Sequence, residues 1–254
     1  GVLVSIVCYR KFWDLDMVGA PAVTTIGDIV TLPFLVVTAL IVMDLPFTGK
    51  AVLGAIVFVM IVAAFISFKR GTRTMLDVLR EGLPLLFPLS LLVITAGVLY
   101  TSRLESLIAA AAVIILISPF MNGCGSIGGI LTSRIGTEMH MGMIDPVLFP
   151  QKTVLKHFGE NYIYSIIFLP LMGAIAHFAA VLLGITTPGL LLMVVISLLA
   201  GILVVTAMNL LGYYTAVITY RKGFDPDNFG VPVVTSSIDL IGATCLLAVM
   251  MILL

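Results

Sequence analysis

Residues 9–30 read YRKFWDLDMVGAPAVTTIGDIV, and residues 220–241 read YRKGFDPDNFGVPVVTSSIDLI. Ten of these 22 positions agree without a gap at a fixed offset of 211. Tyr9, Arg10, Lys11, Asp14, Asp16, Gly19, Pro21, Val23, Thr24 and Asp28 recur as Tyr220, Arg221, Lys222, Asp225, Asp227, Gly230, Pro232, Val234, Thr235 and Asp239. Such agreement is an internal duplication. Each copy runs from a basic pair and two aspartates through glycine and proline into a long apolar stretch that carries one more carboxylate.

Outside the duplicated segment the chain is as apolar as the stretch that follows it. Of 254 residues, 61% are hydrophobic and 10% charged, with a mean hydropathy of +1.23; a soluble domain carries about 25% charged residues. The apolar runs are continuous, not alternating in ten-residue units, which excludes a β-barrel. Uncharged runs long enough to cross about 30 Å of hydrocarbon predict seven helical spans, at 20–43, 51–68, 83–100, 106–133, 162–184, 189–219 and 231–254, with residues 1–8 as the tail of an eighth. Thr186-Thr187-Pro188-Gly189 is the expected turn between the fifth and sixth.

With 13 basic and 13 acidic residues the net charge is zero, which speaks against a nucleic-acid partner. The distribution is not neutral. Alternating sides along the seven spans puts eleven basic residues on one face of the membrane (Arg10, Lys11, Lys69, Arg70, Arg73, Arg80, Arg134, Lys152, Lys156, Arg221 and Lys222) and only Lys50 and Arg103 on the other. The richer side is expected to be cytoplasmic, with the C-terminus outside the cell membrane and the segment between Arg134 and Glu160 as the largest cytoplasmic loop. Cys8, Cys124 and Cys245 have no metal-ligand spacing and read as small buried hydrophobes.

The two Asp-bearing helices are the first and seventh spans, six crossings apart with five spans between them, so both point the same way and the repeat is expected to be parallel. The expected organisation is the end of a first unit at 1–44, a linking span and loop at 45–79, and a complete second unit of five spans at 80–254. Shifted back by the offset, the first unit begins before Gly1, so its remaining part, or a second subunit, is an expected partner alongside the lipid bilayer.

Of the 13 acidic residues, only Asp28 and Asp239 fall well inside predicted spans. A charge at a helix centre costs at least about 2.5 kcal/mol, so an intramembrane carboxylate is a functional-site hypothesis by default. Helical spacing puts Pro21, Thr24, Thr25 and Thr31 on the stripe of Asp28, and Pro232, Thr235, Ser236 and Gly242 on that of Asp239. Hydroxyls bonded to their own helix carbonyls would make the same stripe for purely structural reasons. Pro21 and Pro232 are expected in first helical turns. Outside the membrane, Asp14 with Asp16 and Asp225 with Asp227 form a candidate cytoplasmic mouth, or else balance the neighbouring Arg-Lys pairs.

A second constellation, SPFMNGCGSIGG at 118–129 running into TSRIGTEMH at 132–140, holds Asn122 and a cluster of glycines. It permits close helix contact or a distorted helix with freed carbonyls facing a cavity. Arg134 and Glu138 at i, i+4 read as a helix-surface ion pair, and His177 as a packed histidine. Two carboxylates facing each other at one depth need a proton or a cation between them; a divalent cation matches their charge, and Mg²⁺ would be held largely through its hydration shell.

These residues resemble the MgtE superfamily, on the strength of FDPDNFGVPVVTSSIDL and the Asn-Gly-rich span ending SRIGTEMH, and the tandem branch with two fused membrane domains is the nearer match. The resemblance implies an all-α polytopic membrane protein of five-span units in a parallel pseudo-two-fold arrangement. It implies Mg²⁺ transport through a pore between the two halves, not enzymatic catalysis, with Asp28 and Asp239 as ion-binding residues, Asn122 and the following glycines along the path, and Mg²⁺ as cargo, not cofactor. The chain departs from the bacterial branch in having Gly125-Ser126-Ile127 where that branch has Gly-Gly-Asn, and in lacking an N-domain and CBS pair. Alternatives from the residues themselves are Na⁺- or H⁺-coupled exchange and, from another class, an intramembrane aspartyl protease using Gly27-Asp28; against the protease, the two aspartates occupy duplicated motifs. A lipid-head-group transferase would need a cluster of acids with a basic partner at the interface.

Overall fold

The computed structural model describes residues 2–13, 15–69, 73–103, 107, 111–224 and 229–254. Its elements are α1 (Val2–Lys11), α2 (Leu15–Asp44), α3 (Phe47–Lys69), α4 (Arg73–Ser102), α5 (Ala111–His140), α6 (Lys152–Leu182), α7 (Leu190–Lys222) and α8 (Val231–Leu253). All-helical architecture is what a bilayer demands, because a helix satisfies its backbone groups internally where no water can. Seven of the described helices, α2 to α8, are long and apolar enough to cross a membrane, one for each predicted span.

The packed body consists of α4 to α8. Helix α7 touches α5, α6 and α8; α5 touches α6 and α8; α4 lies on α8; and α2 lies on the side of α5. A large apolar cluster, including Phe120, Leu169, Ile196, Met208, Ile238 and Leu246, fills the centre. A smaller one around Ile135, Met139, Val154, Phe158 and Tyr213 closes the end where α5 stops and α6 starts. The apolar windows of α2 and α3 are not buried inside the protein, leaving surfaces suited to hydrocarbon.

The ends of the helices differ from the expectation in an informative way. Helix α5 continues to His140 and α6 begins at Lys152, seven residues past and ten residues before the predicted span limits. What the sequence shows as a long loop is therefore mostly helix, and the connection shrinks to residues 141–151. It is strapped down: the Tyr213 hydroxyl donates to the carbonyls of Val147 at 2.8 Å and Phe149 at 3.3 Å. The Arg221 guanidinium donates to the Pro146 carbonyl at 3.0 and 2.6 Å.

At the opposite end the turn falls where proline and glycine place it. Helix α6 stops at Leu182, and Gly189, with φ of 105°, leads into α7. His177 is packed, its Nδ1 lying 2.8 Å from the Thr187 hydroxyl, and the Ala112 amide donates to the Thr186 carbonyl, tying the start of α5 to this turn. Helix α7 ends at Gly223, whose left-handed φ of 70° lets its amide reach the carbonyls of Thr219 and Tyr220; only glycine adopts this cap without steric cost.

Candidate ion-binding site

Pro232 stands in the first turn of α8, as expected. Pro21 does not occupy the equivalent place: α2 begins at Leu15, so the proline lies six residues inside it. The Thr235 hydroxyl donates to the Pro232 carbonyl at 3.2 Å, the bond back to its own helix that polar residues in membrane helices often make.

The stripe of α8 that bears Asp239 is pressed against α5 through glycines. A Cβ on Gly125 would stand 3.8 Å from Thr235 Cγ2, and one on Gly129 would stand 3.3 Å from Val231 Cγ1. A Cβ on Gly242, three residues beyond Asp239, would meet Met121 Sδ at 2.7 Å. Asp239 lies between Thr235 and Gly242 on that stripe, half-buried, and within electrostatic reach of Tyr100 on α4 and Cys124 on α5. The glycines of 118–129 thus serve close helix contact, and α5 stays an unbroken helix through them.

Helix α2 meets α5 on another side. The Asn122 amide donates to the Thr25 hydroxyl at 3.4 Å. At 100° per residue, Asn122 and Gly129 lie within about 20° of one another and Gly125 about 60° away. Asn122 therefore lies on the edge of the glycine face, between the contact with α2 and the contact with α8. Of the expected ion-site residues, Asn122, Thr235 and Asp239 are brought to one level of the bundle. The side chains of Asp16, Thr24 and Asp28, and the whole of Asp14, Asp225 and Asp227, lie outside the described residues. Among those described, no three His, Cys, Asp or Glu side chains converge as a metal-binding group.

A cavity of about 710 Å³ opens between α2, α5 and α6. Thr25, Asn122 and Ser126 line it at mid-helix; Ile167, Phe168 and Leu171 make its apolar wall; Arg134, His157, Glu160 and Asn161 stand at its polar end. That end is the feature the sequence reading missed. Arg134 Nε is 3.7 Å from Glu138 Oε1, but Arg134 also donates from Nη1 to Glu160 Oε2 at 3.5 Å. His157, its side chain only 7% exposed, reaches Glu138 Oε2 at 2.9 Å with Nε2 and Glu160 Oε2 at 3.3 Å with Nδ1. The supposed surface pair is one edge of a network that fastens α5 to α6. Its one signal in sequence is a His and a Glu three residues apart, one helical turn, in a segment otherwise read as loop.

A bundle of seven membrane-capable helices, with a carboxylate-bearing helix clasped to a glycine-faced one beside a polar-ended cavity, is the architecture of a multi-pass membrane protein. The chain belongs to the MgtE family of divalent cation transporters, whose family model matches residues 117–249, just over half of its length. Solute carrier family 41 member 3 of Mus musculus is 26% identical over 256 residues, covering 93% of this chain and 51% of the mouse protein. The chain thus spans about half the length of the curated relative it matches. No solved structure matches it. Members of the family are transporters, not enzymes, so the protease and transferase readings fall away.

Proposed function

We propose that the full-length protein carries Mg²⁺ across the cell membrane along a path beside α5, between the two aspartate-bearing helices α2 and α8. The supporting observation is positional: the two copies of one motif end up on helices that both pack on α5, with Asn122 between them and hydrogen-bonded to the first. Asp28 and Asp239 hold the ion, with Thr24, Thr235 and Asn122 as oxygen donors to its hydration shell. Carboxylate and neutral oxygens suit a hard divalent ion that gives up its water reluctantly.

In this reading residues 1–44 end a first repeat, 45–79 link, and 80–254 form a second, the two related by a pseudo-two-fold axis along the membrane normal. The remaining part of the first repeat, or a second subunit, completes the path. The basic ends of α5 to α7 face the cytoplasm and the C-terminus faces outside. Asp14, Asp16, Asp225 and Asp227 gather cations at the cytoplasmic mouth.

Flux of Mg²⁺ into proteoliposomes bearing the full-length protein tests this, with wild type beside Asp28→Asn and Asp239→Asn, with and without a Na⁺ gradient. Each substitution is expected to lower flux at least about tenfold, equivalent to roughly 1.4 kcal/mol of ion interaction. Undiminished flux in both variants overturns the paired-carboxylate site; dependence on the gradient assigns Na⁺-coupled exchange.

A further inference from the structure

The polar end of the cavity has a hydrogen-bond count that does not close without an added proton. A neutral imidazole has one N–H and one lone pair. His157 presents both ring nitrogens to carboxylate oxygens, Nε2 to Glu138 Oε2 at 2.9 Å and Nδ1 to Glu160 Oε2 at 3.3 Å. With neutral His157 and two carboxylates, one lone pair of the buried imidazole would point at an anionic oxygen. The His157 side chain is 7% exposed and that of Glu138 12%, against 31% for Glu160, so water reaches the Glu160 edge of the cluster but does little to relieve the conflict at the imidazole itself. One extra proton relieves it, either making the imidazole a donor at both nitrogens or converting one carboxylate into a donor.

The surrounding charges do not supply a substitute. From α5, Arg134 touches Glu138 and Glu160, while His140 is turned to the Gly136 carbonyl and to Tyr220. From α6, Lys156 lies 3.9 Å from Glu160 with its side chain 77% exposed. From α7, Tyr213 is bonded to the 141–151 connection and Arg221 to Pro146. In that connection Asp145 accepts from Gln151. Among the described residues, Glu138 and Glu160 alone face the imidazole as anions.

We infer that His157, Glu138 and Glu160 form a proton-binding site at the polar end of the cavity, and that its occupancy sets the rate of divalent cation flux. The second clause rests on the ion path proposed above. Arg134, His157 and Glu160 line the same cavity as Thr25 and Asn122, and twelve residues along α5 set Arg134 about 18 Å from Asn122. With the proton bound, the two carboxylates and the three cationic groups Arg134, Lys156 and His157 carry one net positive charge; without it they carry none. Loss of the proton therefore removes a charge that opposes a cation at this end and leaves the ring able to donate to only one of the two carboxylates.

Two measurements on the full-length protein test this, and the first is independent of transport. In ¹⁵N-histidine NMR spectra in nanodiscs, with the His157 signal identified by its loss in His157→Gln, the expected result below neutral pH is protonation of the cluster. It is seen as an imidazolium, or as a neutral ring accepting a proton at one nitrogen from a carboxyl group. Glu160→Gln supplies an amide donor to Nδ1 and closes the count without the proton, so in that variant the ring is a neutral single tautomer over the same range. A neutral ring accepting no proton from either carboxyl in the wild type at all pH values overturns the site. The second is Mg²⁺ flux against pH on the face bearing the cluster, from about 5 to 8, across which a histidine changes charge. Wild-type flux is expected to rise on the order of fourfold, the effect of one unit charge on a divalent ion through roughly 10 Å of water. In both His157→Gln and Glu160→Gln it is expected to be flat. A flat wild-type profile, or an unchanged slope in both variants, overturns the coupling while leaving the ion site to the Asp28→Asn and Asp239→Asn comparison. Should His157→Gln fail to fold, Glu160→Gln carries both readouts.

Discussion

The amide of Asn122 donates to the hydroxyl of Thr25 at 3.4 Å, and so joins α2, the helix that ends the first copy of the duplicated motif, to the glycine-faced helix α5. With Cys8, Cys124 and Cys245 replaced by alanine, the pair Thr25→Cys and Asn122→Cys is expected to be bridged by a short bifunctional thiol reagent and to lose Mg²⁺ flux when bridged. A gel shift after cleavage between residues 45 and 79 reads the bridge. Failure to bridge removes the contact between α2 and α5 at this level.

Glycine substitutions separate two kinds of close approach. A Cβ on Gly173 would stand 2.5 Å from the backbone carbonyl oxygen of Met193, whereas one on Gly128 would meet Ile238 Cδ1 at 2.5 Å and Met208 Cγ at 2.8 Å. Backbone cannot step aside and side-chain ends can. Overpacking of this sort costs about 1–3 kcal/mol; Gly173→Ala is expected at or above the top of that range and Gly128→Ala near the bottom, in thermal unfolding of the detergent-solubilised protein. Equal losses contradict the distinction.

Two buried polar side chains should answer removal in opposite ways. Asn209 accepts from Asn161 at 2.9 Å and donates to the Phe158 carbonyl at 3.5 Å, so Asn209→Ala strands its partner and is expected to cost about 1–3 kcal/mol. Among the described residues the buried Tyr100 hydroxyl has no hydrogen-bond partner, so Tyr100→Phe is expected to be neutral or stabilising by about 1 kcal/mol. Unfolding midpoints of the two variants decide.

Tyr213→Phe tests the strap over the α5–α6 connection. Losing the bonds to Val147 and Phe149 is expected to cost about 0.5–1.5 kcal/mol, confined to the connection. Amide hydrogen exchange at 141–151 should quicken several-fold while α7 itself stays protected; uniform quickening would place the role of Tyr213 in the core.

The seven spans were legible because the bilayer imposes one rule on every helix, and the duplicated segment singled out Asp239 and its stripe. The start of α6 was misread because Lys152, Lys156 and Glu160 look like loop residues when their partners are unknown. Across the gap Arg134 of α5 meets Glu160 and Glu138 meets His157, while Lys156 pairs with Glu160 one turn along α6. Arg134 was assigned only its i, i+4 neighbour for the same reason: periodicity reports partners within a helix, and Glu160 lies 26 residues away. The glycines of α5 were recognised as small, but which helix each one admits, Phe168 of α6 at Gly123 or Thr235 of α8 at Gly125, is decided by tertiary packing alone.

The seam between α5 and α8 has a mechanical consequence. Side chains that interlock across a helix pair must withdraw from their sockets before either helix can shift; at Gly125 and Gly129 backbone lies against the short side chains of Thr235 and Val231, whereas Ile238 seats on Gly128 and Met121 on Gly242. A shift of α8 along α5 would have to lift Ile238 and Met121 from those seats before Asp239 could change depth, so these two side chains, and not the glycines opposite Thr235 and Val231, hold the carboxylate at its level.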